Sequence, residues 1–328
     1  MAYIKLDREA LRHNLDQIDR KSEGRFAVVL KDNAYGHGLM EIAQEVSSYG
    51  VKRAVVRTRS EAVSIEGLFE YILILSDSPQ EDGFYYAIND LQSLKNAPKK
   101  ASLELKIDTG MHRNGIGMEE IEEALEVVKG RGLKLKGVFT HFRSADELGS
   151  ELFWQIRNWK QVKERVKKWS QKEGYEPPHF HSANSAALFR AGIAEDEFAR
   201  VGIALYGYVE FDEVFDMPPL QPVLSLWAKK IATRELLQGQ KVGYGGEFEA
   251  PSDMRISTYD IGYADGIFRS LKMTKEGKIL GRVSMDSIVL EGEKEDICIF
   301  DDAKEIAREL GTISYEVLVK LSPAIVRH

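Results

Sequence analysis

The hydrophobic pattern of the chain has two textures. Over the first two thirds, short apolar, β-rich runs alternate with stretches whose apolar positions recur at helical spacing. The strand-like runs are 26–30, 53–58, 71–76, 85–88, 102–107, 135–142, 180–183 and 198–201. Helical patterns lie between them, at 39–48, 118–129 and 151–172 among others, and an earlier helix capped by Asp7 carries the stripe Leu11, Leu15 and Ile18. Strands alternating with helices imply parallel pairing through βαβ units. A count of eight predicts closure into an α/β fold, a (β/α)8 TIM-like barrel, rather than an open doubly wound sheet. Closure rests on the fourth run, 85–88. From about residue 220 helical spacing gives way to β-rich runs at 223–236, 241–248, 255–261, 278–290 and 296–300, broken by turns such as Gly245-Gly246 and Asp265-Gly266. This predicts a C-terminal, mostly antiparallel β-domain with short helices near 303–310 and 315–321. The expected domains are 1–219 and 220–328, joined at Met217-Pro218-Pro219, with residues 2–6 a strand that joins the second.

Composition narrows the function classes. The chain has 328 residues, 43% hydrophobic, with a net charge of −7 from 45 Lys+Arg against 52 Asp+Glu mixed along its length. Nothing resembles the basic footprint of a nucleic-acid binder. The one basic stretch, 160–172, reads as a solvated helix face. The single Cys298 excludes an intramolecular disulfide and a Cys-rich zinc site, which fits a reducing compartment. The N-terminus has no signal-peptide core and no apolar run is long enough to span a membrane, so a cytoplasmic protein with no membrane partner is expected.

The candidate chemistry sits where the barrel strands end, the face on which barrel enzymes build their sites. Lys31 follows the fully apolar run Phe26-Ala27-Val28-Val29-Leu30. A lysine there is a candidate Schiff-base nucleophile; a solvated lysine is the plain alternative. Lys106 and Asp108 close the fifth strand and Arg113 lies in the turn after it; His141 and Arg143 end the sixth, Asn184 and Ser185 follow the seventh, and Arg200 and Gly202 surround the end of the eighth. Ser185 with its helix start and Gly202-Ile203 are placed to hold a phosphate. No Walker or Rossmann glycine loop occurs, and no His and carboxylate cluster has metal-ligand spacing. A phosphate site facing a lysine suggests pyridoxal 5′-phosphate (PLP).

An ordered series of motifs then carries a resemblance. Val29-Leu30-Lys31-Asp32-Asn33-Ala34-Tyr35-Gly36-His37-Gly38 is similar to the PLP-lysine motif of the alanine racemases, and Asp108-Thr109-Gly110-Met111-His112-Arg113 to their second motif. Phe139-Thr140-His141-Phe142, His181-Ser182-Ala183-Asn184-Ser185 and the run Arg200 to Gly207 follow in order. Val242-Gly243-Tyr244-Gly245, Ile261-Gly262-Tyr263-Ala264-Asp265-Gly266, Gly281 to Asp286 and Ser314-Tyr315-Glu316 complete the series. The resemblance implies a fold-type III PLP enzyme, a homodimer with shared sites that interconverts L- and D-alanine and supplies D-alanine for peptidoglycan. It implies that Lys31 holds the cofactor and acts as one base, and that Tyr263 of the partner subunit is the other. Arg200 is similar to the arginine at the pyridine nitrogen, and His141 to the histidine linking it to the tyrosine. Arg113 resembles the arginine beside the phenolic oxygen, held by Lys106, a lysine often carbamylated in the family. Tyr35, Ser185, Gly202, Ile203 and Tyr315 match phosphate contacts, with Asn184 beside them, and Met285 matches a partner residue at the substrate carboxylate. No metal is implied.

The roles fit the reaction. Racemisation removes a proton from one face of Cα and returns one to the other, which asks for two acid/base groups on opposite faces. Three features depart from the family pattern: a shorter chain between the third and fifth strands, Arg57 where a small residue is expected near Lys31, and one C-terminal arginine, Arg327, where two are common. The rival readings are a racemase of broader specificity, a PLP decarboxylase on the same architecture, and a non-catalytic PLP-binding barrel.

Overall fold

The eight apolar runs become the strands of a closed parallel barrel. The computed structural model describes residues 1–212 and 214–328. After β1 (Tyr3–Leu6) come the barrel strands β2 (Phe26–Val29), β3 (Arg53–Val56), β4 (Tyr71–Ile74), β5 (Tyr85–Ile88) and β6 (Ser102–Asp108) with its two-residue companion β7 (Ile116–Gly117). The barrel continues through β8 (Lys134–Phe139), β9 (His179–His181) and β10 (Glu197–Val201). Neighbours pair in parallel around the circle, which closes where Arg200 of β10 aligns with Ala27 of β2. The fourth barrel strand, β5, pairs on both sides, with Leu73–Ile74 and with 102–105. Strand β2 is buried throughout, as a strand covered on both faces must be. Several expected strands overran at their C-terminal ends. Leu30, Arg57-Thr58 and 140–142 leave the ladder there and become the loops that carry the polar groups.

The helix Glu151–Glu173 corrects one expectation. Its buried side includes Trp159, Val162 and Val166, but also Lys163. The basic stretch is therefore not wholly a solvated face: Lys163 Nζ lies 2.7 Å from Asp196 Oδ1 and 2.6 Å from Glu197 Oε1. Glu197 also accepts from Trp159 Nε1 at 2.9 Å and from the Ser182 hydroxyl. Breaking a buried pair leaves a desolvated charge behind. Lys163→Met is accordingly expected to destabilise the protein by about 3–5 kcal/mol, read by urea denaturation; a loss below about 1 kcal/mol, the scale of an exposed pair, would contradict it.

The remaining strands are β11 (Leu224–Leu236), β12 (Lys241–Val242), β13 (Phe248–Glu249), β14 (Met254–Tyr259), β15 (Met273–Thr274), β16 (Gly277–Lys278), β17 (Ile288–Glu291), β18 (Asp296–Phe300) and β19 (Val326–Arg327). The long β11 is the spine, pairing antiparallel with β1, β14 and β18, while β17 flanks β14 and β19 runs parallel to β1. Two short hairpins, β12–β13 and β15–β16, complete the unit. Compact units divide the chain as 12–32 with 42–220, and 1–11 with 33–41 and 221–328. The segment 33–41 thus belongs with the C-terminal residues.

The backbone after Lys31 is unusual. Asp32, Asn33, Ala34 and Tyr35 all have φ between 51 and 56°. A left-handed turn costs L-residues roughly 1–2 kcal/mol each. Asp and Asn tolerate it; Ala and Tyr do not favour it. Local bonds oppose the cost: Asn33 Oδ1 accepts from Leu39 N at 2.9 Å, Asn33 O from Gly38 N at 3.0 Å and Ala34 O from His37 N at 3.1 Å. Strain of this kind, stored where the surroundings over-determine it, is characteristic of functional segments.

Candidate active site

Five of the expected residues meet at the C-terminal mouth of the barrel. His141 is held neutral, pushed down to about 3 by burial and then by Arg200, Lys106, Arg113 and Lys31. Those four cations therefore lie within electrostatic reach of one imidazole. Lys106, on β6, donates to Asn114 Oδ1, and Asn114 in turn donates to Asn89 Oδ1 at 2.8 Å. Burial, then Arg113, Arg200 and Lys31, push Lys106 down to about 8.

Two expectations follow for Lys106. Near pH 8 about half of it is the free amine, so cyanate at that pH is expected to carbamoylate it ahead of the exposed lysines, read by peptide mass spectrometry; equal labelling would contradict this. Unfolded lysine keeps its proton to about pH 10.4. Lys106 therefore costs stability below pH 8, and the cost is relieved as pH rises from about 8 to about 10.

Arg113 is presented by the turn after β6. Asp108 Oδ1 accepts from the backbone of Gly110, Met111 and His112 at 2.9, 2.9 and 3.1 Å, which folds the chain back on itself. Arg113 itself is exposed.

At Lys31 the structure adds a carboxylate. Lys31 Nζ lies 3.7 Å from Asp32 Oδ2, and Arg57 Nη1 lies 2.9 Å from Asp32 Oδ1. Arg57 brings its charge to this corner through Asp32, which the two cations share. Glu61 fixes the geometry from below, accepting from the backbone of Asp32 at 2.7 Å and Arg57 at 2.8 Å within a capping box with Thr58.

The loops after β9 and β10 meet at Ser185. Its hydroxyl accepts from the backbone of Gly202 at 3.1 Å and Ala204 at 3.3 Å, and Asn184 caps the helix Ser185–Ala191 through Ala187 N at 2.9 Å. Ser185, Gly202 and Ile203 are thus gathered at one point. In the other unit Tyr35 and Tyr315 are brought together, ring centroids 5.9 Å apart.

Arg200 is buried and bonded on two sides, by Nη1 to His181 Nδ1 at 2.7 Å and by Nη2 to Thr140 O at 2.7 Å. The imidazole in contact with it is His181, whereas His141 reaches it electrostatically. Burial pushes Arg200 down to about 10, so it stays a cation at neutral pH.

Tyr263 and Met285 share a corner of the C-terminal unit. Tyr263 N donates to Ser284 O at 3.1 Å and Ala264 N to Met285 O at 2.8 Å. The approach needs Gly262, where a Cβ would overlap the Met285 carbonyl. Both side chains are exposed, 41% and 59%. A second tyrosine, Tyr244, is 72% exposed on the turn Tyr244–Gly246, whose Gly245 lies against Arg282.

Comparison with known proteins identifies the frame that holds these groups. Residues 6–210 match the model of the alanine racemase N-terminal domain, and residues 223–328 that of the C-terminal domain. The chain belongs to the alanine racemase family.

Its similarity to individual alanine racemases spans the whole length. It is 61% identical over 323 residues to the alanine racemase of a Nitratiruptor species, covering 98% of this chain and 97% of that one. It is 45% identical over 337 residues to the alanine racemase of Campylobacter curvus, covering 100% and 99%. Among solved structures, the alanine racemase from Bacillus anthracis with bound L-Ala-P superposes with a TM-score of 0.88 at 28% identity, covering 99% of this chain and 94% of that one. Among the described residues no helix is long and apolar enough to cross a membrane.

Sequence reasoning missed one cluster. Glu104, His179 and His181 place their ligand-type atoms within 4.8 Å of one another, although no such spacing shows along the chain. The signal was parity: Glu104 shares a strand face with Lys106 and Asp108, and His179 with His181. At the C-terminal tail Arg327 donates to Gly36 O at 2.8 Å.

Proposed function

We propose that this member of the alanine racemase family interconverts L- and D-alanine with PLP, using two bases on opposite faces of Cα. The observation that carries the reading is the cationic barrel mouth, Lys31, Lys106, Arg113 and Arg200 around a neutral His141. Such a field suits an anionic cofactor and the carboxylate of an amino acid. The donor set fits PLP: Ser185 with the backbone of Gly202 and Ile203 would hold its phosphate, and Lys31 would hold its aldehyde carbon; the resemblance adds Tyr35 and Tyr315 as phosphate contacts. Bound there, the cofactor supplies the electron-withdrawing ring that acidifies the Cα proton.

The chain's own groups do the rest. Lys31 Nζ takes or returns the proton on one face. Arg200 would face the pyridine nitrogen, and as a permanent cation it would keep that nitrogen unprotonated. Asn184 would stand at the phosphate end, while Arg113 and Met285 of the partner subunit would orient the substrate carboxylate. The second base is Tyr263 of the C-terminal unit, supplied by a partner chain. The exposed Tyr263 and Met285 support a homodimer with shared sites; the same reading puts its action in the cytoplasm.

Arg200 weighs against the decarboxylase reading, in which a carboxylate is expected at the pyridine nitrogen. The test is L-alanine in deuterated solvent with PLP-loaded protein. Deuterium at Cα with D-alanine appearing supports racemisation; release of CO2 and an amine, or no exchange, would sink it.

A further inference from the structure

We propose that Glu104 is a positioning residue for Arg200, acting through the tautomer of His181. The inference deepens the reading above and rests on it for its catalytic consequence. A guanidinium can only donate hydrogen bonds. His181 Nδ1, 2.7 Å from Arg200 Nη1, must therefore be the acceptor, and the ring carries its proton on Nε2. That Nε2 lies 2.7 Å from Glu104 Oε2, to which it donates. The other carboxylate oxygen, Oε1, accepts from the Tyr71 hydroxyl and from His179 Nε2, each at 2.7 Å. Glu104 is acceptor at both oxygens, so it is a carboxylate although it is fully buried. It stands one imidazole away from Arg200 as its counter-charge.

The arrangement is built across the barrel. Tyr71 is on β4, Glu104 on β6, the histidines on β9 and Arg200 on β10, so the chain of bonds links strands that are not all neighbours. His181 is stacked between Phe139 and Phe198, centroids 4.7 and 4.5 Å away at 8 and 19°. The stacking fixes the plane of the ring, and the hydrogen bonds at its two ends fix its proton. Room for the cluster comes from Gly137, where a Cβ would lie 2.6 Å from His179 Nε2.

A metal ion is the other chemistry this trio could serve. Two ligands about 2.0–2.1 Å from a tetrahedral ion stand roughly 3.3 Å apart. The 2.7 Å separations here are those of hydrogen bonds. An Arg200 cation on the far nitrogen of His181 also opposes a dication on the near one.

Orienting carboxylates behind an imidazole fix its tautomer, and their loss typically costs 10–100-fold in activity at metal-bound histidines. In Glu104→Gln the amide either donates or accepts, so it no longer dictates the proton on His181. An Nδ1–H population then points a donor at Arg200 and displaces it.

The test uses nitrogen-15 NMR of the histidines in cofactor-free protein, with kcat of the PLP-loaded enzyme measured alongside. Wild type is expected to show the Nε2–H tautomer at His181, Tyr71→Phe to keep it, and Glu104→Gln to shift it toward Nδ1–H. In the loaded enzyme Glu104→Gln is expected to lower kcat about 10–100-fold for both enantiomers. An imidazolium or Nδ1–H ring in wild type overturns the proposal without any variant, as does stoichiometric zinc in the purified protein. An unchanged tautomer in Glu104→Gln also overturns it. A shifted tautomer with unchanged kcat instead removes Arg200 from the reaction, a failure of the functional reading rather than of the Glu104–His181 pair.

Discussion

Lys31→Ala is expected to abolish racemisation in both directions, by about 10⁴-fold in kcat/KM, the upper range for a lost acid/base group. The same residue is the proposed covalent anchor, so the variant should bind PLP without the borohydride-trappable linkage of the wild type. Folding should be little disturbed. The Lys31 side chain is about a third exposed, and its ion-pair partner, Asp32, keeps its pair with Arg57. A small primary amine added to the solution is expected to restore part of the reaction, because it replaces the missing nitrogen. Residual activity within tenfold of wild type would remove Lys31 from the mechanism.

The second large effect concerns the opposite face. Tyr263→Phe deletes one hydroxyl and keeps the ring. It is expected to slow Cα proton exchange from one enantiomer by about 10²–10⁴-fold while the other enantiomer exchanges near the wild-type rate. One-sided exchange is the signature of two bases, since a single base serving both faces would slow both enantiomers together. Two-sided loss, or wild-type exchange from both enantiomers, would end the two-base reading.

The sequence by itself determined the architecture. Eight apolar runs separated by helical spacing became eight barrel strands, because a strand buried on both faces leaves an uninterrupted apolar signature. The weakest run, 85–88, was recovered as β5. Motif order likewise pointed to Lys31, Lys106, Arg113, His141 and Arg200, and these meet at one mouth because a parallel barrel turns every strand end toward the same side.

What the tertiary structure decided is the pairing of groups far apart in the chain. Nothing along the sequence joins Glu104 to His181, or Lys163 to Glu197. A charged residue on an apolar strand or helix reads as surface until its partner is known, since only a partner offsets the cost of burying it. The left-handed run Asp32–Tyr35 belongs to the same class. Ala34 and Tyr35 have no local preference for it, so contacts such as the one between Tyr35 and Tyr315 must hold it in place.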